Sequence, residues 1–238
     1  MRAYAALAYA LAVILFLAVS AFTQDGGLLL REDFNDLENW KPLYFPKIDR
    51  HTTYTIEKDG ENSYLKAESN ASASGIVFKK EFNVFEYPVV QWRWNVSNVF
   101  EKGNAKEKSG DDYPLRIYII FKYNPDTASF GKKVKYGIVK AIYGEYPPHS
   151  SLNYIWANRG HAEKIITNTY ASEAQMIVLE TGSEKAGMWI DEKVNILEDY
   201  RRAFGADPPA EASLAIMSDS DNTGEQATSF IDYIEVGR

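Results

Sequence analysis

The chain of 238 residues contains no cysteine. Disulfide staples, thiol catalysis and Cys-based zinc sites are therefore excluded. Histidine is scarce, and His51, His149 and His161 show no zinc-motif spacing. No Gly-x-Ser-x-Gly elbow, Walker loop or dinucleotide fingerprint occurs. Basic residues are outnumbered, with Lys+Arg at 26 against Asp+Glu at 33, for a formal charge of −7. An acidic balance without a basic block lacks the footprint that nucleic acid requires. The same balance argues against adhesion of the chain to anionic lipid. There is no internal repeat, low-complexity tract or interdomain linker, and beyond residue 23 no apolar run is long enough to span a bilayer.

What is present begins with a leader. Arg2 precedes an uncharged run from Ala3 to Thr23, and Val19-Ser20-Ala21 places small residues where a signal peptidase reads. Residues 1–21 are expected to be a signal peptide, with an N-terminal anchor as the alternative because the run nearly spans a bilayer. Either way the remainder, 22–238, is expected to be one domain outside the cytoplasm, periplasmic or secreted. A chain with 45% hydrophobic and 14% aromatic residues can bury a core of that size without chemical staples.

Short runs rich in Val, Ile, Tyr, Phe and Trp recur between turn-forming clusters. They predict strands over Leu28–Asp33, Thr52–Glu57, Tyr64–Ser69, Gly75–Phe82, Val89–Val96 and Leu115–Tyr123. Further strands are predicted over Leu152–Asn158, Gln175–Thr181, Met188–Val194, Leu214–Ser218 and Phe230–Val236. Many alternate with period two: Val90, Trp92, Trp94 and Val96 point one way, Gln91, Arg93 and Asn95 the other. Trp92 and Trp94 are expected in the core. Strand following strand with little helix predicts an all-β fold: an antiparallel β-sandwich, jelly-roll or concanavalin-like, with one or two short helices. One helix is predicted over Ile196–Phe204, with Gly205 and Pro208-Pro209 as its stop. Lys132–Tyr143 reads equally as helix or edge strand.

The most specific local pattern is Asp219-Ser220-Asp221-Asn222-Thr223-Gly224-Glu225, whose alternating oxygen side chains resemble the first half of a calcium loop. Phe230 stands where an EF-hand needs its bidentate Glu, so a tight polar turn is the competing reading. Pairing of the first and last strands would bring Glu32 or Asp33 to Asp232. The candidate metal ligands are thus Asp219, Asp221, Thr223 and Asp232, with calcium the candidate cofactor. Asp111 and Asp112, adjacent on one strand, point apart and make a poor acid/base couple. One of them could join a metal site or pair with Arg116, against a simple turn as the bland reading.

Aromatic density beside polar amides suggests sugar stacking, and Trp156, between Asn153 and Asn158, is the aromatic singled out. Arg93, Arg116, Tyr118, Asn153, Trp156, Asn158, Asp221 and Asn222 are the candidate ligand-binding residues, with a glycan as candidate partner. The rival reading is a polysaccharide lyase or glycoside hydrolase built on Arg116, Tyr118 and an Asp.

Five segments together carry a family resemblance: Trp92-Arg93-Trp94, Lys108-Ser109-Gly110-Asp111-Asp112, Asn153 to Asn158, Asp199 to Gly205, and Asp219 to Gly224. In that order they resemble a bacterial family of exported proteins classed as a domain of unknown function. The resemblance implies a periplasmic or secreted β-rich domain and transfers no catalytic residue.

Overall fold

The computed structural model describes residues 27–46, 48–143 and 146–238. The leader expected over 1–21 lies outside the described residues. In chain order the elements are β1 (Leu30–Glu32), β2 (Trp40–Leu43), β3 (Thr53–Asp59), β4 (Asn62–Asn70), β5 (Ala73–Phe78), β6 (Phe82–Asn83) and β7 (Val89–Val96). A short 3-10 turn at Lys108–Gly110 precedes β8 (Tyr113–Phe121), α1 (Phe130–Tyr143), β9 (Ser150–Ala157), β10 (Ile165–Thr167) and β11 (Ala174–Thr181). The chain ends with β12 (Ile190–Asn195), α2 (Ile196–Phe204), β13 (Glu211–Asp219) and β14 (Gln226–Gly237).

The strands form two sheets packed face to face as a jelly-roll β-sandwich. One runs β12-β7-β14-β4-β3, with β1 on the far end of β14. The other runs β10-β11-β9-β8-β13-β5-β2, with β6 extending beside β13. The first and last strands pair antiparallel as predicted, Glu32 lying opposite Ile234. Every ladder is antiparallel except β9 with β11, which is parallel. That departs from a purely antiparallel sandwich because β10 intervenes between them and reverses the chain.

Alternation decides what is buried. Trp92 and Trp94 from β7 meet Tyr154 and Trp156 from β9 across the sandwich, with ring centroids 5.5 and 5.8 Å apart. All four side chains are buried, and together they remove a large apolar area from water. The predicted helix Ile196–Phe204 is α2. The Asn195 side chain accepts from the Leu197 and Glu198 amides, and Gly205 at φ +68° closes its C-terminus. Tyr200 donates or accepts with Ser150 at 3.0 Å, and the Tyr154 hydroxyl donates to Asp199 at 2.8 Å. The family-like segment Asp199 to Gly205 therefore anchors β9, the strand whose other face carries the site. The ambiguous stretch at 132–143 is helical, within α1. No helix among the described residues is long and apolar enough to cross a membrane.

Candidate functional site

On the second sheet the face turned away from the core is polar at its centre. On β8, Leu115, Ile117 and Ile119 point inward, so Arg116 and Tyr118 point outward. On β9 the same logic turns Leu152, Tyr154 and Trp156 inward and Ser151 and Asn153 outward. Register then places Asn153 opposite Tyr118, and Met217 of β13 opposite Arg116. These side chains floor a cavity of about 660 Å³, walled by Phe45, Pro46 and Ile48 on one side and by Asn168, Tyr170 and Glu173 on the other. Asp111, Asp219, Asp221 and Asn222 close one end. That volume is in the range of small-ligand sites.

Charge is the dominant feature of that end. Arg116 is buried, pairs with Asp219 and lies 3.8 Å from Asp111. Burial alone would lower the Arg116 pKa, but Asp219 and the other nearby acids more than offset it and hold the guanidinium charged. Burial pushes the Asp219 carboxyl well up, opposed by Arg116 and reinforced by Asp112 and Asp111. Asp112 is likewise raised, chiefly by burial. The side chains of Asp112, Asp219 and Asp221 offer carboxylate oxygens that all lie within 4.8 Å of one another. One guanidinium thus meets Asp219 and Asp111, with Asp112 and Asp221 grouped behind Asp219, so carboxyls outnumber cations at a low-dielectric end where ionising all of them together is costly.

Backbone geometry builds this cluster. Asp111 and Asp112 diverge as neighbours on an extended chain do. Asp111 turns to Arg116 and accepts from Asn168 Nδ2 at 2.9 Å, while Asp112 Oδ2 accepts from the Thr223 amide at 2.6 Å. Gly110 is required here, since a Cβ would come within 2.5 Å of the Asn104 amide nitrogen. Four buried polar atoms at the site lack a hydrogen-bond partner among the described residues: Asp111 Oδ1, Asp112 Oδ1, Asn153 Oδ1 and Arg116 Nε. Three of the four are acceptors, so the site is short of donors or of a cation.

Of the eight predicted ligand residues, Arg116, Tyr118, Asn153, Asp221 and Asn222 line the one cavity. Three do not. Trp156 is a core residue whose indole donates to the Gly182 carbonyl at 2.9 Å, because even-numbered positions of β9 face inward. Asn158 is a buried pin: it accepts from the Phe100 amide at 2.8 Å and donates to the Asp112 carbonyl at 2.6 Å. Arg93 lies on the outer face of the opposite sheet, 3.3 Å from Asp232 and over the Trp189 ring. Asp232 goes with it, also accepting from Asn62, and is corrected out of the metal set. Glu32 does not meet it, being turned inward to accept from Phe34 and Trp40. Thr223 serves the cluster by holding Asp112 through its amide, while its own carbonyl accepts from Lys102.

Sequence reasoning missed Tyr170, an exposed aromatic whose hydroxyl lies within hydrogen-bond reach of both the Lys108 carbonyl and Asn222 Oδ1 and donates its one proton to either. It also missed Phe45. Both sit in irregular segments, where no periodicity marks a face. Asp112 in the acidic cluster was signalled only by its adjacency to Asp111.

No curated protein sequence matches the chain. Among solved structures, the family 11 carbohydrate-binding module of a cellulosomal cellulase of Clostridium thermocellum is 10% identical, over 90% of this chain and 96% of that one, with a TM-score of 0.45. A carbohydrate-binding module of Caldicellulosiruptor saccharolyticus, in complex with mannohexaose, is 11% identical over 87% and 94%, at 0.38. A cleaved adhesin domain of Lys-gingipain from Porphyromonas gingivalis is 9% identical over 87% and 96%, also at 0.38. Residues 38–235 match the family described as "Protein of unknown function (DUF3047)", and the chain belongs to that family.

Proposed function

We propose that the protein is an exported glycan-binding module that holds a neutral, hydroxyl-rich ligand in the cavity on its second sheet, with calcium bound at the acidic end. The observation that carries this reading is the pair of buried acceptors Asp111 Oδ1 and Asn153 Oδ1, which line a ligand-sized cavity without a hydrogen-bond donor among the described residues. Leaving such groups unpaired costs about 1–3 kcal/mol each, so a partner that donates is favoured. Sugar hydroxyls donate, and the exposed face of Tyr170 offers a ring on which a sugar can stack. Export rests on the apolar run at 3–23 with its small-residue cleavage pattern.

The charge arrangement selects among ligands. Arg116 is already matched by Asp219 and Asp111, which leaves it no free charge to neutralise a uronate. Tyr118 is a poor general base, since burial raises its pKa and its hydroxyl is directed at Met217. Both points favour binding over the lyase chemistry that the same residues could otherwise suggest. On a glycan array, neutral envelope and exopolysaccharide glycans should bind and polyuronates should not. Asn153→Ala and Tyr170→Ala should each weaken that binding about tenfold or more. An array on which no glycan is retained, or on which polyuronates dominate, would remove the proposal.

Calcium suits an oxygen-only donor set with surplus negative charge. Asp112, Asp219 and Asp221 would hold it, and its contribution would be to stabilise the loop 219–224 against β8. Binding to the native state alone raises the melting temperature by mass action. Calcium should therefore raise the midpoint over chelator-treated protein, and Asp112→Asn should abolish the difference. Equal midpoints in the wild-type chain would dismiss the ion.

A further inference from the structure

Helix α1 presents a feature that the cavity does not use. Its sequence, Phe-Gly-Lys-Lys-Val-Lys-Tyr-Gly-Ile-Val-Lys-Ala-Ile-Tyr, carries four lysines and no acid, in a chain of net charge −7. At about 100° per residue, Phe130, Val134, Gly137 and Ala141 fall within an arc of roughly 60°. Lys133 and Lys140 border that arc on one side, while Lys135 lies roughly 100° beyond its other edge. Tyr136 lies across the helix, buried, with its ring 4.5 Å from Tyr123 and its hydroxyl donating to the Pro148 carbonyl. The stripe therefore faces solvent, where Phe130 is 82% exposed and Val134 49%. An ordinary surface helix has the opposite order, apolar inward and charged outward.

None of these lysines forms an ion pair among the described residues, although Lys132 lies over the Tyr136 ring and the charges of Lys135 and Lys132 reach Glu173. Lysine ion pairs among the described residues involve Lys66, Lys106, Lys122 and Lys185, none of them on α1. Lys140 instead lies over the ring of Tyr146, 4.3 Å from its centroid, which adds a half-exposed aromatic beside the helix.

We infer that α1 is a docking element for an anionic phospholipid surface, with Phe130 and Val134 entering the headgroup boundary and the flanking lysines meeting the phosphates. Apolar residues rimmed by lysines are the chemistry of an interfacial helix. A purely ionic partner would need no exposed Phe and Val. A second copy apposed through the same face would set lysines against lysines. The acidity of the whole chain, which argues against lipid adhesion, is an average over a surface, whereas attraction near a membrane decays within a Debye length of about 10 Å and so reads only the local patch. This inference is independent of the glycan reading.

The absence of cysteine permits a direct test on the full chain. Val134→Cys is labelled with an environment-sensitive fluorophore, and Lys58→Cys on the opposite sheet serves as the control site. On vesicles of phosphatidylcholine with about one-third phosphatidylglycerol, the helix label should shift to the blue, whereas the Lys58 label should not. On phosphatidylcholine alone neither should shift, even if the N-terminal apolar run tethers the chain. Reversing Lys133 and Lys140 to Glu should weaken the response about twentyfold or more, at roughly fivefold for each lysine lost. An unshifted helix label, or equal shifts on neutral and anionic vesicles, would overturn the inference. So would a shift that rises with protein concentration when no vesicles are present, which would assign the stripe to a second copy.

Discussion

Arg116→Met should destabilise the fold by about 3–5 kcal/mol, the range found when one partner of a buried ion pair is removed. The guanidinium and the Asp219 carboxylate are both buried, their side chains 5% and 3% exposed, and Asp111 lies 3.8 Å away. Methionine fills much of the same volume, so the loss is electrostatic rather than a cavity. What remains is a set of buried carboxylates with no cation to face. Urea midpoints give the measurement. The double variant Arg116→Met/Asp219→Asn should recover much of the deficit, because it removes the charge that the first change leaves unpaired.

Two further readouts separate charge from packing. The deficit should shrink as the pH falls, since a protonated Asp219 no longer needs the guanidinium. Added calcium should raise the midpoint of the single variant by more than that of the wild type, because the ion replaces a lost positive charge among Asp112, Asp219 and Asp221. A single variant within about 1 kcal/mol of wild type would show that the arginine is not needed to hold the acids in place, and the electrostatic account of the site would fall with it.

Legibility in the sequence followed side-chain alternation and stopped where strand order took over. Period two assigned Trp92 and Trp94 to the core and grouped Arg116 with Tyr118 on one face of β8. The same rule, applied through β9, places Trp156 with Tyr154 in the core. Reading its polar neighbours as companions rather than as residues of the opposite face misplaced it. The acidic cluster was harder. Asp219 and Asp221 stand out in their loop, but the third carboxylate comes from Asp112, because β8 pairs with β13 and sets Tyr113 opposite Asp219. Local pattern carries no signal for a pairing across more than a hundred residues, and Asp232, on the right strand pair for a different sheet, was an equally legible choice. Tyr170 and Phe45 lie in segments with no period at all. Helix α1 is a related case, since its lysines and apolar residues were visible while the face they share with solvent was not.

Glu192→Gln should stabilise the protein at pH 8 by about 1–2 kcal/mol and change little at pH 5. Glu192 sits on edge strand β12, opposite Trp92, with Ile190 and Val194 sharing its partly buried side. Its Oε1 is buried without a hydrogen-bond partner. Burial first, and then the nearby charge of Glu180, push its pKa from 4.5 up to about 7. The folded state thus keeps a proton that the unfolded chain releases. Stability is undiminished below the unfolded value, falls as the pH climbs from about 4.5 to about 7, and stays reduced above that, where both states are ionised. The full shift would correspond to roughly 3 kcal/mol, but water reaches part of the side chain, so about half of that is expected. Glutamine carries the neutral form at every pH, and the urea midpoint of the variant should therefore be flatter than that of the wild type between pH 5 and 8. If the two profiles run parallel, the edge of the sandwich between β12 and β7 tolerates the charge, and Glu192 must reach water there.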